Sequence, residues 1–206
     1  MAGGSIILEP KQMFQTLQDM EKATQDLLKL IQEVTEILEA VSVLTFAIGF
    51  GELIKLAEQA INQVGNAVVA ANNAFNSACR DVVNQLVQKF APEGAKSDYS
   101  SPPFVEISIK INVADRAQIL PSVMRSHFDQ HQQKNTQVAN KSNDMRDIYR
   151  QTSSFWIGES ADKTRSSFES KIVPEFENLK SVLDNIVSKG IEWIEDAVKF
   201  EASLGV

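Results

Sequence analysis

The chain is predicted to be all-α: two long helical hairpins packed as an antiparallel four-helix bundle, with a short extended arm leading into each half. Three observations carry that expectation. Apolar side chains recur at three- and four-residue steps over four long stretches. The 206 residues include only 9 glycines and 6 prolines, few for a loop-rich or all-β protein. The segment Ser154-Phe155-Trp156-Ile157-Gly158-Glu159 sets a Trp-x-Gly turn between two of those stretches, where the chain has to reverse.

The first stretch carries Met13, Leu17, Met20, Thr24, Leu27, Ile31, Val34, Leu38 and Val41, a four-three alternation that makes one seam of a long helix. Gln, Glu, Lys and Asp fill its other faces, and Glu33, Glu36 and Glu39 read as a solvated face. The helix is expected to end near Thr45, with Phe46, Gly49 and Gly51 making the turn. A second seam follows in Ile54, Ala57, Ile61, Val64, Val68, Ala71, Phe75, Ala78 and Val82, whose alanines let another helix approach closely.

Residues 91–103, APEGAKSDYSSPP, form a linker in which proline, glycine and serine disfavour helix. It separates an N-terminal hairpin, residues 1–90, from a C-terminal one, residues 104–206. Beyond it Val105, Ile107, Ile109, Ile111 and Val113 alternate strictly, so 104–113 reads as extended. A lone strand needs company, either Ser5 to Leu8 or a helix groove.

The third helix runs from Asp115 or Pro121 to Ser153, with Pro121 as a first-turn proline or a kink. Its seam is Met124, Phe128, His131, Val138, Met145 and Tyr149. At the following bend Gly158 supplies backbone freedom and Trp156 seals the open end of the hairpin with a large ring. Ser160 is placed to cap the fourth helix. That helix carries Phe168, Ile172, Phe176, Leu179, Leu183, Ile186, Trp193, Ala197, Phe200 and Leu204, with Trp193 in register if Gly190 sits in the seam. Pro174 should kink or split it.

Both halves thus share one plan: an apolar arm, a long helix, a glycine-containing turn after an aromatic, and a second long helix. A hairpin of ~35-residue helices is about 50 Å long and buries its stripe only against another, which two halves supply as a four-helix bundle. In this plan the sequence resembles the WXG family, small helical-hairpin proteins exported by type VII secretion systems of Gram-positive bacteria and mycobacteria. Trp156, Ile157 and Gly158 match the family's signature at the bend. Ala161 and Phe168 stand where the family carries small and aromatic residues opening the second helix. The likeness covers 104–206; over 1–100 it rests on the hairpin plan and Phe46-Ala47-Ile48-Gly49, with Phe46 where the tryptophan would stand.

Family members are about half this length and dimerise into antiparallel four-helix bundles, so the resemblance implies a tandem fusion with intrachain pairing of the two halves. It further implies a non-enzymatic secretion substrate or co-secreted adaptor that binds through helical faces. The protein would be cytoplasmic before export and then secreted, or held at the cell surface, without a cleavable signal peptide. Its partners would be the type VII machinery or a co-secreted helical protein. Trp156, Gly158 and Phe155 would form the turn and docking surface, with Phe46, Gly49 and Gly51 as the N-terminal counterpart. The family's export signal, a tyrosine followed four residues on by an acidic residue, has no match: Pro103 follows Tyr99 at that step and Ser153 follows Tyr149. The signal then falls to a partner, or the protein acts inside the cell.

Other chemistries find little support. The net charge of −7 argues against a nucleic-acid partner. Cys79, the only cysteine, lies in apolar company and reads as a small core residue. His127 and His131 share a helix face at metal-ligand spacing, but no third ligand is visible, and a polar, half-exposed helix face is the better reading. No nucleophile triad, phosphate loop, metal or cofactor is indicated, and a bundle with sealed seams offers no substrate cleft. The longest apolar run, residues 40–54, falls short of the ~18 residues of a spanning helix. It reads as a buried hairpin tip. A membrane-active protein inserting that tip is the rival function, with membrane contact otherwise minor, and a cytosolic helical scaffold is the third.

Overall fold

The computed structural model describes residues 7–44, 50–90, 103–112 and 120–203. Four long helical runs form one four-helix bundle: α1 (Pro10–Leu44), α2 (Phe50–Phe90), α3 (Pro121–Gln151), and a last run built from α4 (Glu159–Ser167), a π-type turn (Phe168–Ile172) and α5 (Val173–Ser203). Helix α1 packs against α2 and α3, and α5 packs against the same two, so the helices stand at the corners of a square. Partners across the seams fix the directions. Lys134 pairs with Glu33 at 2.6 Å and Lys141 with Asp26 at 3.3 Å, which makes α1 and α3 antiparallel. Asn135 donates to Asp184 at 3.2 Å, and the Phe128 ring lies over Gly190, which makes α3 and α5 antiparallel. Every neighbouring pair is therefore antiparallel, and the two hairpin bends lie at opposite ends of the bundle.

The core follows the predicted seams. Every predicted seam position of α1 and α3 is buried, and Thr24, the polar exception in α1, donates back to the Met20 carbonyl at 2.9 Å. The α2 seam holds from Ile54 to Val68 and then shifts, with Asn72, Phe75 and Cys79 buried while Ala71 and Ala78 are only half-buried. In α5 the seam passes through buried Gly190 to Ile194, and Trp193 is a half-buried flank rather than core. At Gly190 the helices approach closely: a β-carbon there would stand 2.0 Å from the Phe128 ring. Pro121 opens α3 at its first turn. The last run is interrupted just ahead of Pro174, where the proline was expected to act: α4 gives way to a π-type turn and α5 begins at Val173. The preceding π-type turn, in which the Val173 N–H bonds the Phe168 carbonyl, absorbs the proline's missing donor and ring bulk.

The extended segment 103–112 is no strand; it lies along α2 as a strap. Asn62 and Asn66 each accept a backbone N–H at 2.7 Å and donate to the carbonyl of the same residue, at Ile109 and Ile107 respectively. Asn73 does the same for Phe104, Glu58 accepts from the Ile111 N–H at 2.7 Å, and Ser42 of α1 donates to the Asn112 carbonyl. The match is geometric. Four helical residues advance about 6 Å and two extended residues about 6.6 Å, so side chains one turn apart meet alternate backbone units. Between Asn66 and Asn73 the helix step is seven residues, the strap covers it in three, and the alternation slips. Val105, expected on the inner face, is consequently 82% exposed, while Ile107, Ile109 and Ile111 turn inward. The strap carries the chain back along the hairpin so that α3 can run antiparallel to α1.

Ile7 and Leu8 do not partner this strap. They pair antiparallel with Trp156 and Ile157, Ile7 opposite Ile157 and Leu8 opposite Trp156. Phe46 and Gly49, the proposed first turn, lie outside the described residues; Gly51 falls in the first turn of α2, where a β-carbon would meet nothing.

Candidate docking site at the Trp-x-Gly turn

At the end of α3 the chain makes a tight turn at Thr152–Ser154, enters the two-residue strand β2 (Trp156–Ile157), opposite β1 (Ile7–Leu8), and starts α4 at Gly158. Gly158 has φ 139°, a conformation that side chains resist. It is the N-cap of α4, its carbonyl accepting the Asp162 N–H at 3.1 Å. The cap expected at Ser160 is thus two residues too late, and Ser160 stands exposed inside the helix.

Phe155 and Trp156 are both buried at 4% exposure. The Trp156 ring meets Phe75 of α2 at 5.9 Å between centroids, Phe75 meets Tyr149 of α3 at 5.2 Å, and Tyr149 stacks on Phe168 at 4.0 Å. Four rings from three helical runs and the turn therefore make one aromatic plate. Burial pushes the Tyr149 hydroxyl pKa up, well beyond the usual phenol range. Arg165 holds the turn from α4: one guanidinium nitrogen donates to the Thr152 hydroxyl at 3.0 Å and the Trp156 carbonyl at 3.1 Å, the other to Asp162 at 2.6 Å. From the other side the Glu9 N–H donates to the Phe155 carbonyl at 3.1 Å. Arg165 and Thr152 were not singled out from the sequence. The only cue is an arginine seven residues after the turn glycine, on the α4 face that looks back at it.

Above the plate lies a groove of ≈ 1140 Å³ between α2 and α4. Sealed seams were expected, so this cleft is a correction. It opens because α4 packs onto β2 and the π-type turn, whereas α2 packs onto the π-type turn and α5. The α2 wall is Gln63, Ala67, Ala70, Ala71 and Ala74; Ala70 and Ala74 are exposed to the groove, while Ala67 and Ala71 are half-buried against the core. The facing rim is Glu159, Lys163, Ser167, Lys171 and Glu175, at steps of four residues. The π-type turn at its upper end is tied to α3 by Arg146, whose guanidinium bonds Glu169 at 2.9–3.2 Å, and by Arg150. The hydrogen bond from Arg146 holds the Glu169 carboxyl below the usual range.

Elsewhere, His131 is fully buried in the bundle with neither ring nitrogen hydrogen-bonded, and desolvation lowers its pKa to about 4. His127 is half-buried. Among the described residues no three His, Cys, Asp or Glu side chains are grouped to hold a metal, and no helix is long and apolar enough to cross a membrane. Glu33, on a face that stays partly solvated, also bonds Lys134 across the α1–α3 seam, which lowers its pKa.

No family model, no curated protein and no solved structure matches the chain.

Proposed function

We propose that the chain is a tandem WXG-like protein, a type VII secretion substrate or co-secreted adaptor that acts by helix-mediated binding and carries out no chemistry of its own. The observation that carries this reading is the placement of Trp156 and Gly158. A Trp-x-Gly turn closes one hairpin, and that hairpin packs antiparallel against a second hairpin of the same chain. Trp156 acts as the seal of the bend, and docking passes to the groove that its ring helps to floor. The test is the amount of the protein in culture supernatant with and without the host's type VII ATPase. Loss without the ATPase is expected; equal amounts in both, or none in either, would overturn the reading.

A membrane-active reading has one observation on its side. Leu120, Val123, Val198 and Phe200 are exposed at the end of the bundle where α1 finishes and α2 begins. Liposome leakage abolished by Ile48→Asp would favour it, and absence of leakage would exclude it.

A further inference from the structure

We propose that the groove between α2 and α4 receives a single amphipathic helix of a partner protein, with its apolar stripe on the aromatic plate and carboxylates directed at Lys163 and Lys171. The proposal rests on the helix-mediated binding reading above and names the kind of partner that reading requires.

The walls set the shape of the occupant. From Gln63 to Ala74 the α2 wall is about 17 Å long, and from Glu159 to Glu175 the opposite rim is about 24 Å. That accommodates three to four helical turns. Ala67, Ala70, Ala71 and Ala74 recur at three- and four-residue steps, and Ala70 and Ala74 are exposed, so a helix can settle against that wall with little between the two backbones.

Backbone chemistry decides between a helix and an extended peptide. On its α1–α2 side this protein shows what holding an extended chain takes: Asn62, Asn66 and Asn73 present an amide to one backbone unit after another. The α2 wall of the groove has alanines at the corresponding steps and a single amide, at Gln63. An extended occupant would leave its N–H and C=O groups unpaired against an apolar floor, whereas a helix satisfies them internally.

Charge then narrows the partner. The α2 wall carries none. The rim carries lysine at its centre and glutamate at each end. Lys171 forms no ion pair with a described residue, and the Lys163–Glu159 pair is solvent-exposed, so it exchanges partners at little cost. The two lysines lie eight residues and about 12 Å apart, which matches carboxylates seven or eight positions apart beside the apolar stripe of the incoming helix.

The test uses the full chain and three stapled helical peptides of about 15 residues. Each has leucine at positions i, i+4, i+7 and i+11, and two flanking positions seven apart occupied by Glu/Glu, Gln/Gln or Lys/Lys. Fluorescence polarisation should rank them Glu/Glu, Gln/Gln, Lys/Lys, with about tenfold between the extremes at low salt. The Ala70→Gln/Ala74→Gln variant, changed at two exposed positions, should fold normally by thermal melt and bind at least tenfold more weakly. The Lys163→Glu/Lys171→Glu variant should reverse the ranking. Absence of binding by all three peptides, equal binding of all three, or binding indifferent to the glutamine variant would overturn the proposal. So would a groove that takes oleate and no peptide, which would make it an amphiphile site. Loss of ATPase-dependent secretion is a separate readout, so failure of the peptide assay leaves the secretion reading standing, and the reverse.

Discussion

Replacing Trp156 by alanine probes the turn most directly. The ring is 4% exposed and packed against Phe75, while its backbone pairs with Leu8 and accepts from Arg165. Truncating a buried tryptophan costs about 3–5 kcal/mol when the cavity cannot collapse, and the aromatic pair adds about 1 kcal/mol. Here one side of the vacated space borders the open groove, so water can enter and the cavity term shrinks. We expect about 3 kcal/mol. For a chain of this size each kcal/mol moves the melting midpoint by about 2–4 °C, so thermal unfolding followed by circular dichroism should show a drop of about 6–12 °C. The backbone contacts survive the substitution, so helix content should be unchanged at low temperature. A midpoint within a degree of wild type would refute the claim that the buried ring holds this bend.

Three further outcomes are expected. Gly190→Ala places a methyl against the Phe128 ring and should destabilise by about 1–3 kcal/mol; an unchanged denaturant midpoint would show that the helices are further apart than described. Asn66→Ala strands the N–H and C=O of Ile107 and should cost about 1–3 kcal/mol, with faster hydrogen exchange confined to the strap; exchange unaltered there would count against the amide ladder. His131 is neutral in the folded state, with a pKa near 4 against 6.5 for an ordinary histidine, so the unfolded chain binds the extra proton. Stability should therefore be full above about pH 6.5 and fall by up to about 1.4 kcal/mol per pH unit toward pH 4. His131→Leu should flatten that window, and an equal slope in the variant would remove His131 as the cause.

The bundle was legible in the sequence because its seams are long and regular. Met13 to Val41 needs only the three-four step to be read, and Pro121 and Gly158 mark boundaries by backbone chemistry. What escaped depends on which faces meet. The alternation of Ile107, Ile109 and Ile111 announces an extended segment, and a helix groove was one of the two berths expected for it; what the sequence reading missed is the set of α2 asparagines that hold it there. Asn62 and Asn66 at i and i+4 on an otherwise good helix were the available signal. The seam alanines of α2 were read as room for another helix, but of these only Ala71 lines the groove; Ala67, Ala70 and Ala74 lie off that seam, and periodicity cannot reveal that α4 turns aside there and leaves room open. Gly190 does sit in the seam, yet the next buried position is Ile194, four residues on, and Trp193 at the three-residue step flanks it; the three- and four-residue steps are both allowed by the helix period, so spacing alone did not choose between them. Arg165 was invisible because its role exists only once the turn is folded.

The central claim is that one chain supplies both hairpins of the bundle, and a distance between α1 and α3 tests it. Spin labels at Asp26 and Lys141, a pair 3.3 Å apart across that seam, should be introduced as cysteines in a Cys79→Ser background and measured by pulsed dipolar spectroscopy. If the halves pair within the chain, the short distance will persist when the doubly labelled protein is diluted into excess unlabelled protein. Loss of that distance on dilution would mean that the hairpins pair between chains, and would contradict the account.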